Sequence, residues 1–262
     1  MAFGGGRGPM NIRQATTEMG TFFYLAEDFF IAATLDDGFA WELGVLYGVL
    51  AHLPAQGPCN VVDVGAHVGL HAIPYAHRVE GRGRVYAFEP HAVMAELLGR
   101  NAEVNECSAG IEILHFAAGH IDGIEASLDD VIHDGPNAEQ PYHYEPSRPF
   151  NYGGLQLGLG ARKVTMRTLD SFAFADVALL KVDAEGSEPL VLWGARDLVR
   201  RCRPLILFER NGKHITESMR SMIDIPDEVR AFRIEEYTSG LGYSEPLQLG
   251  DKEYLLRPLP RR

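Results

Sequence analysis

Cysteine is scarce: Cys59, Cys107 and Cys202 are an odd number with no CxxC spacing, which excludes a disulfide framework and a zinc-thiolate site. The expected compartment is therefore reducing and cytoplasmic. Long apolar runs are missing too, since none approaches the roughly 20 residues that span a bilayer. The opening MAFGGGRGPM lacks the apolar core of a signal peptide and reads as a frayed tail. Positive charge is in deficit, with 24 Lys and Arg against 36 Asp and Glu, a net charge of −12. Such a field repels a phosphate backbone, so neither nucleic acid nor membrane is the expected partner. HExxH is absent and the ten histidines are scattered without ligand spacing, so no metal is expected on that count.

What remains is an ordinary folding composition, 46% hydrophobic and 23% charged, in 262 residues, enough for one generous α/β domain. Apolar residues recur at mixed spacing from Thr21 to Leu53. The half after Phe39 has helical spacing and ends at Pro54, which predicts a helical cap packed on the main domain. After Gln56-Gly57-Pro58, Asn60 to Val64 is a short β-branched run suited to a buried parallel strand. A helix from about Gly69 to Val79, a strand from Arg84 to Phe88, a helix from Ala92 to Val104 and a strand from Ile111 to Phe116 follow. That alternation predicts βαβ units with a mostly parallel sheet and helices on both faces.

From His120 to Ala161 the alternation stops, and glycine, proline and aromatics such as Tyr142, Tyr144, Phe150 and Tyr152 take over. A connection this long predicts a lid over the site, with Gly153 and Gly154 as a hinge, or else aromatics that merely anchor a loop. The pattern resumes with strands at Lys163 to Arg167, Val177 to Val182 and Leu205 to Phe208 and a helix after Ser187. It ends with a helical stretch from Asp227 to Tyr237 and strands near Leu247 and at Glu253 to Leu256.

Three segments carry chemistry. VVDVGAHVG, Val61 to Gly69, turns from strand to helix through Gly65 and Gly69, which let the backbone approach a ligand. A dinucleotide fingerprint would need glycine where His67 and Leu70 stand, so pyrophosphate is disfavoured. YAFEP ends a strand with Glu89, placed to accept from the two hydroxyls of a ribose or to sit at a helix N-terminus. LLKVDAEGSE delivers Asp183 and Glu185 to the carboxyl end of a buried strand, and Glu209 ends the strand PLILFE at the same edge. Clustered carboxylates raise one another's pKa, which suits one to take a hydroxyl proton. The same residues can instead cap a helix, pair with Arg210 or Lys213, or share a divalent cation.

Taken in order with NYGGLQL (Asn151 to Leu157) and TLDSF (Thr168 to Phe172), these segments resemble the FkbM-type methyltransferases over roughly Asn60 to Glu209. The resemblance implies a Rossmann-like class I methyltransferase fold: residues 1–55 as tail and helical cap, and 56–262 as the domain, with the lid inserted at about 120–161. It implies S-adenosyl-L-methionine as cofactor, held by Asp63, Gly65, His67, Gly69, Glu89, Pro90, Ala118 and Asp183. Asp183, Glu185 and Glu209 would be the catalytic acids. The family usually has asparagine at the position of His67, whose imidazole reads as a helix cap or a space filler.

The implied reaction is O-methylation of a hydroxyl on a sugar or other natural-product small molecule. Methylation of a carboxylate or a nitrogen, an NAD-dependent oxidoreductase and a module that binds without turnover are the alternatives. The oligomeric state stays open, a homo-oligomer included.

Overall fold

The computed structural model describes residues 11–128, 150–158, 160–210 and 225–260. The chain opens with a hairpin rather than a helix, β1 (Ile12–Thr17) pairing antiparallel with β2 (Gly20–Leu25). Phe22 and Tyr24 point inward on the period of two that a strand imposes. In the sequence that period is disguised by the apolar residues of the next helix. α1 (Phe29–Asp36) and α2 (Leu43–His52) complete the cap, and α2 realises the helical spacing that ends before Pro54.

The core begins with β3 (Asn60–Val64), α3 (Ala72–Val79), β4 (Val85–Phe88), α4 (Ala92–Val104) and β5 (Ile111–Leu114). The side-chain amides of Asn101 and Asn105 occupy the free edge of the hairpin. Asn101 Oδ1 accepts from Phe23 N at 2.6 Å while its Nδ2 donates to Phe23 O at 3.0 Å. Asn105 repeats the pattern on Thr21 at 2.9 and 2.6 Å, so two amides one helical turn apart stand in for a neighbouring strand.

Next come β6 (Ala117–Ala118), β7 (Ile124–Leu128) and β8 (Arg162–Arg167), which form a separate sheet in the order β6-β8-β7. Two expectations change here. β7 occupies the start of the region expected as lid, and β8 lies outside the central sheet. Tyr142, His143, Tyr144 and Arg148 of the expected lid lie outside the described residues. The segment returns at Phe150, which is fully buried and exchanges backbone hydrogen bonds with Phe29 and Glu27 of the cap at 3.1 and 2.7 Å.

β9 (Val177–Val182), α5 (Glu188–Trp193), α6 (Arg196–Cys202), β10 (Leu205–Glu209), α7 (Asp227–Arg230), α8 (Ile234–Ser239), β11 (Leu247–Gln248) and β12 (Glu253–Leu256) finish the chain. The expected helix over Asp227 to Tyr237 is thus two short ones. The central sheet runs β11-β12-β10-β9-β3-β4-β5, parallel except for β12, which is antiparallel to both neighbours. Alternate residues of one strand feed opposite layers. Val61, Val85 and Leu179 join a core with α2, α3 and α4, while Val62, Phe88 and Leu180 join one with α5, α6 and α8. Strand order reverses at β3, whose neighbours β4 and β9 lead to opposite halves of the sheet. Ligands of open α/β sheets bind in the crevice outside the carboxyl ends of the strands at such a point.

Candidate active site

A cavity of about 550 Å³ opens at that point, along the carboxyl ends of β10, β9, β3 and β4. At one end its wall includes Glu89 and Pro90 after β4, with Ala118 of β6 nearby, and at the other Glu209 closes β10. Three strand spacings separate β4 from β10, about 14 Å. Gly65, His67, Asp183 and Glu185 line the middle. Asp63 and Gly69, also expected at the cofactor, do not line the cavity.

The two glycines serve packing. Gly65 has φ +77°, and a Cβ there would stand 1.8 Å from the carbonyl oxygen of Asp183. A Cβ on Gly69 (φ +92°) would meet Leu98 of α4 at 2.3 Å. What approaches each glycine closely within the fold is the loop after β9 and the helix α4, while Gly65 also lines the cavity. Because Gly69 to His71 form the turn, α3 begins at Ala72 rather than at Gly69.

Asp63 is fully buried beneath the loop, where its Oδ1 lies 3.2 Å from Lys181 Nζ. Asp63 and Lys181 are register partners on β3 and β9. The ammonium also lies 3.4 Å from Asp183 Oδ2 and donates to the Gly65 carbonyl at 3.3 Å. Burial alone pushes the Lys181 pKa down, but Asp63 and Asp183 outweigh it and hold the ammonium charged. Asp63 therefore acts through Lys181, which does line the cavity.

Glu89 is buried, and its carboxylate accepts the backbone N–H groups of His67 and His91, each at 2.7 Å. It orders the glycine loop and its own strand end together. His67 has a left-handed backbone at φ +51°, and its Nε2 lies 3.2 Å from Oδ2 of the buried Asp28 in the cap. The imidazole thus ties the cap to the loop, a role beyond the expected helix cap or filler. Burial lowers the His67 pKa, and the carboxylates of Asp28, Glu89 and Asp183 together more than reverse that.

Asp183, Glu185 and Glu209 each place a carboxylate oxygen within 4.8 Å of the other two. All three are half-buried, and Glu209 lies 3.6 Å from Lys252 Nζ. The loop carrying the first two is held from below. Asp183 N donates to Val64 O at 3.2 Å, and Glu188 accepts from Ala184 N and Gly186 N at 3.0 and 3.1 Å. Burial pushes the Glu188 carboxyl up to about 7 against those backbone donors. Such a cluster can orient a hydroxyl and receive its proton, and its hard oxygens also suit a divalent cation.

Sequence reasoning missed Asp28, Glu42, His71, Lys181 and Glu188. A lysine inside the apolar strand VALLKV was a usable signal, because a buried ammonium requires anionic partners. Asp28 and Glu42 had no such mark, as only the placement of the cap brings them to the cavity.

The model of the methyltransferase FkbM domain matches residues 63–242, more than half of the chain. No curated protein matches. Among solved structures, methyltransferase FkbM from Methylobacillus flagellatus is 17% identical with a TM-score of 0.47 over 81% of this chain and 46% of its own. The chain therefore spans less than half the length of that protein. A SAM-dependent O-methyltransferase from Thermotoga maritima is 10% identical with a TM-score of 0.43, over 95% of this chain and 84% of its own. A methyltransferase from Podospora anserina, solved with S-adenosylhomocysteine bound, is 11% identical with a TM-score of 0.44, over 82% and 76%. With a match across the glycine loop, the strand-end acids and most of the core, the chain belongs to the FkbM-domain methyltransferases, with the Rossmann-like class I fold.

Proposed function

We propose that this protein transfers the methyl group of S-adenosyl-L-methionine to a hydroxyl oxygen of a small molecule, a sugar or another polyhydroxylated natural product. One observation carries the reading: a single cavity joins the ordered glycine loop and Glu89 at one end to three convergent carboxylates at the other. The buried Glu89 carboxylate keeps lone pairs beyond those used by the two backbone donors, enough to accept from ribose hydroxyls. The Gly65 loop and Ala118 offer wall to the remainder of the cofactor. When bound, the sulfonium supplies an electrophilic methyl group.

The protein's own part is proximity, orientation and proton removal. Asp183 is the first choice as base, because Lys181 fixes its carboxylate from below and the loop after β9 turns it into the cavity. Glu185 and Glu209 orient the hydroxyl. Pro90 shapes the wall beside Glu89. A cytoplasmic setting accompanies the reading, since Cys59, Cys107 and Cys202 are free thiols. No helix among the described residues is long and apolar enough to cross a membrane.

Calorimetric titration with S-adenosylhomocysteine, beside NAD, tests the reading for wild type and Glu89→Ala. Homocysteine-analogue binding that Glu89→Ala weakens at least tenfold, with no NAD signal, is the expected result. Binding of NAD alone, or of neither, overturns it. A subsequent screen of hydroxyl, carboxylate and amine acceptors separates O-methylation from its alternatives, because an acceptor of low pKa leaves Asp183→Asn almost as fast as wild type.

A further inference from the structure

Glu42 lies between α1 and α2 of the cap and lines the cavity. Its backbone is left-handed, φ 49° and ψ 37°, a conformation that costs a non-glycine residue energy and tends to persist where a site needs it. The side chain does not cap α2, although Glu42 is the N-cap residue. Instead its Oε2 lies 3.6 Å from Nε2 of His71, with three quarters of the carboxylate side chain buried. His71 is 95% buried, and neither ring nitrogen has a hydrogen-bond partner.

Burial and the nearby Lys181 ammonium push the His71 pKa down to about 3, so it is a neutral ring with a nitrogen free to accept. Among the described residues no lysine or arginine forms an ion pair with Glu42. The two lysines of the cavity wall are committed elsewhere, Lys181 to Asp63 and Asp183, and Lys252 to Glu209. Around Glu42 the field is acidic, from Asp183, Glu209 and Glu253, with Lys181 the opposing charge. The neighbouring Trp41 lines the same cavity, its ring 6.4 Å from that of Phe30 and tilted by 49°.

A buried carboxylate lacking a cationic partner, a neutral imidazole with an unused acceptor and two aromatic rings are the parts that hold an organic ammonium. We propose that the cap's Trp41 and Glu42, with His71, bind a protonated amine on the acceptor, so that the substrate is an amino-bearing polyol. The inference rests on the methyltransferase reading and narrows its acceptor class. The amine is the anchor. The methyl group goes to a hydroxyl held at Asp183, and the hydroxyl proton is the one lost.

The test uses the full chain saturated with S-adenosylhomocysteine and two isosteric probes, ethanolamine and ethylene glycol, with 1-amino-1-deoxy-D-sorbitol and D-sorbitol as a larger pair, both amines being protonated at the pH used. Binding is followed at about pH 8, where carboxylates are ionised, by chemical-shift changes of the protein's backbone amides in NMR spectra, a readout that wild type and every variant share. Each amine is expected to bind at least tenfold more tightly than its neutral partner. Glu42→Gln and Trp41→Leu are each expected to shrink that preference at least fivefold while leaving the homocysteine-analogue affinity within twofold. Retained analogue affinity also reports that the variants are folded. Equal affinity within both pairs, no amine binding in the millimolar range, or a preference that survives Glu42→Gln overturns the inference. Failure of S-adenosylhomocysteine to bind wild type overturns the underlying reading instead. Product analysis with an accepted amino-polyol must then find the methyl on oxygen; a methyl on the amine nitrogen overturns the anchoring role.

Discussion

Lys181 Nζ sits 3.2 Å from Asp63 Oδ1 on the adjacent strand, with both side chains almost wholly removed from solvent. The pair is the joint between sheet and site, since the same ammonium touches Asp183 and the Gly65 carbonyl. Removing one member strands the other charge in the core, a change that typically costs 3–5 kcal/mol. Lys181→Met is expected to destabilise by about that amount in urea titrations, and the double change with Asp63→Leu to recover most of it. The double variant still lacks the fixed Asp183 carboxylate, so its turnover stays low while its stability returns. A Lys181→Met cost below about 1 kcal/mol, the range of a surface ion pair, sinks this account.

Gly65 and Gly57 share a positive φ, +77° and +81°, but only Gly65 is crowded. Alanine at 57 meets nothing within 4 Å, so Gly57→Ala should cost only the left-handed backbone term, about 1–2 kcal/mol. Alanine at 65 would thrust its Cβ to 1.8 Å from a backbone carbonyl that the strand pairing holds in place. Gly65→Ala should therefore cost more than about 4 kcal/mol or part β3 from the Asp183 loop and abolish homocysteine-analogue binding. Similar melting temperatures for the two variants would show that the close approach is not a constraint.

Where a segment's local signal and its final neighbours agree, it was legible in the sequence. β3 and α4 have the predicted bounds, because a β-branched run between glycine-rich breakers and a 3.6-residue repeat ending near Asn105 need no tertiary help. The acids just after β9 and at the end of β10 were legible for the same reason, as residues at the carboxyl ends of buried parallel strands. The hairpin was not, because its edge is completed by Asn101 and Asn105, some 80 residues away. Nor was Asp63, whose strand-end position fits a ligand contact equally well until Lys181 is seen opposite. Glu42 and Asp28 carry no periodic signal at all; their roles exist only once the cap is folded onto the loop.

The His67–Asp28 contact makes a prediction about the residue the family usually places there. Asparagine tolerates the left-handed backbone of position 67 better than histidine does, yet it removes the only cation facing the buried Asp28 among the described residues. His67→Asn alone is expected to lose about 2–3 kcal/mol, and His67→Asn with Asp28→Asn to lose less than the sum. The His67 pKa is raised in the fold, so this contact stabilises below the ordinary value of 6.5 and is lost as pH rises through the folded value. A double-mutant cycle by urea denaturation at two pH values reads both effects, and purely additive costs would count against the latch.

Glu42 and His71 face each other but should bend the stability curve in opposite directions. Burial first, then Asp183, pushes the Glu42 carboxyl from its ordinary 4.5 up to about 7. Between those values the folded state binds the proton that the unfolded state has released, so stability falls as pH rises from 4.5 through 7. His71 is held near 3 against an ordinary 6.5, so there the unfolded state gains the proton and stability falls as pH drops below 6.5. Glu42→Gln should therefore gain stability over wild type above pH 7, on the order of 1–3 kcal/mol, and gain almost nothing near pH 4.5. His71→Phe should show the mirror image, gaining only on the acid side. Urea denaturation across that pH range measures both differences, and a Glu42→Gln difference that does not change with pH would mean that its carboxyl is solvated and unperturbed. The same titration made with ethanolamine present adds a link to the ammonium site. A bound cation favours the ionised carboxylate, so the alkaline loss in wild type should shrink and Glu42→Gln should show no such protection.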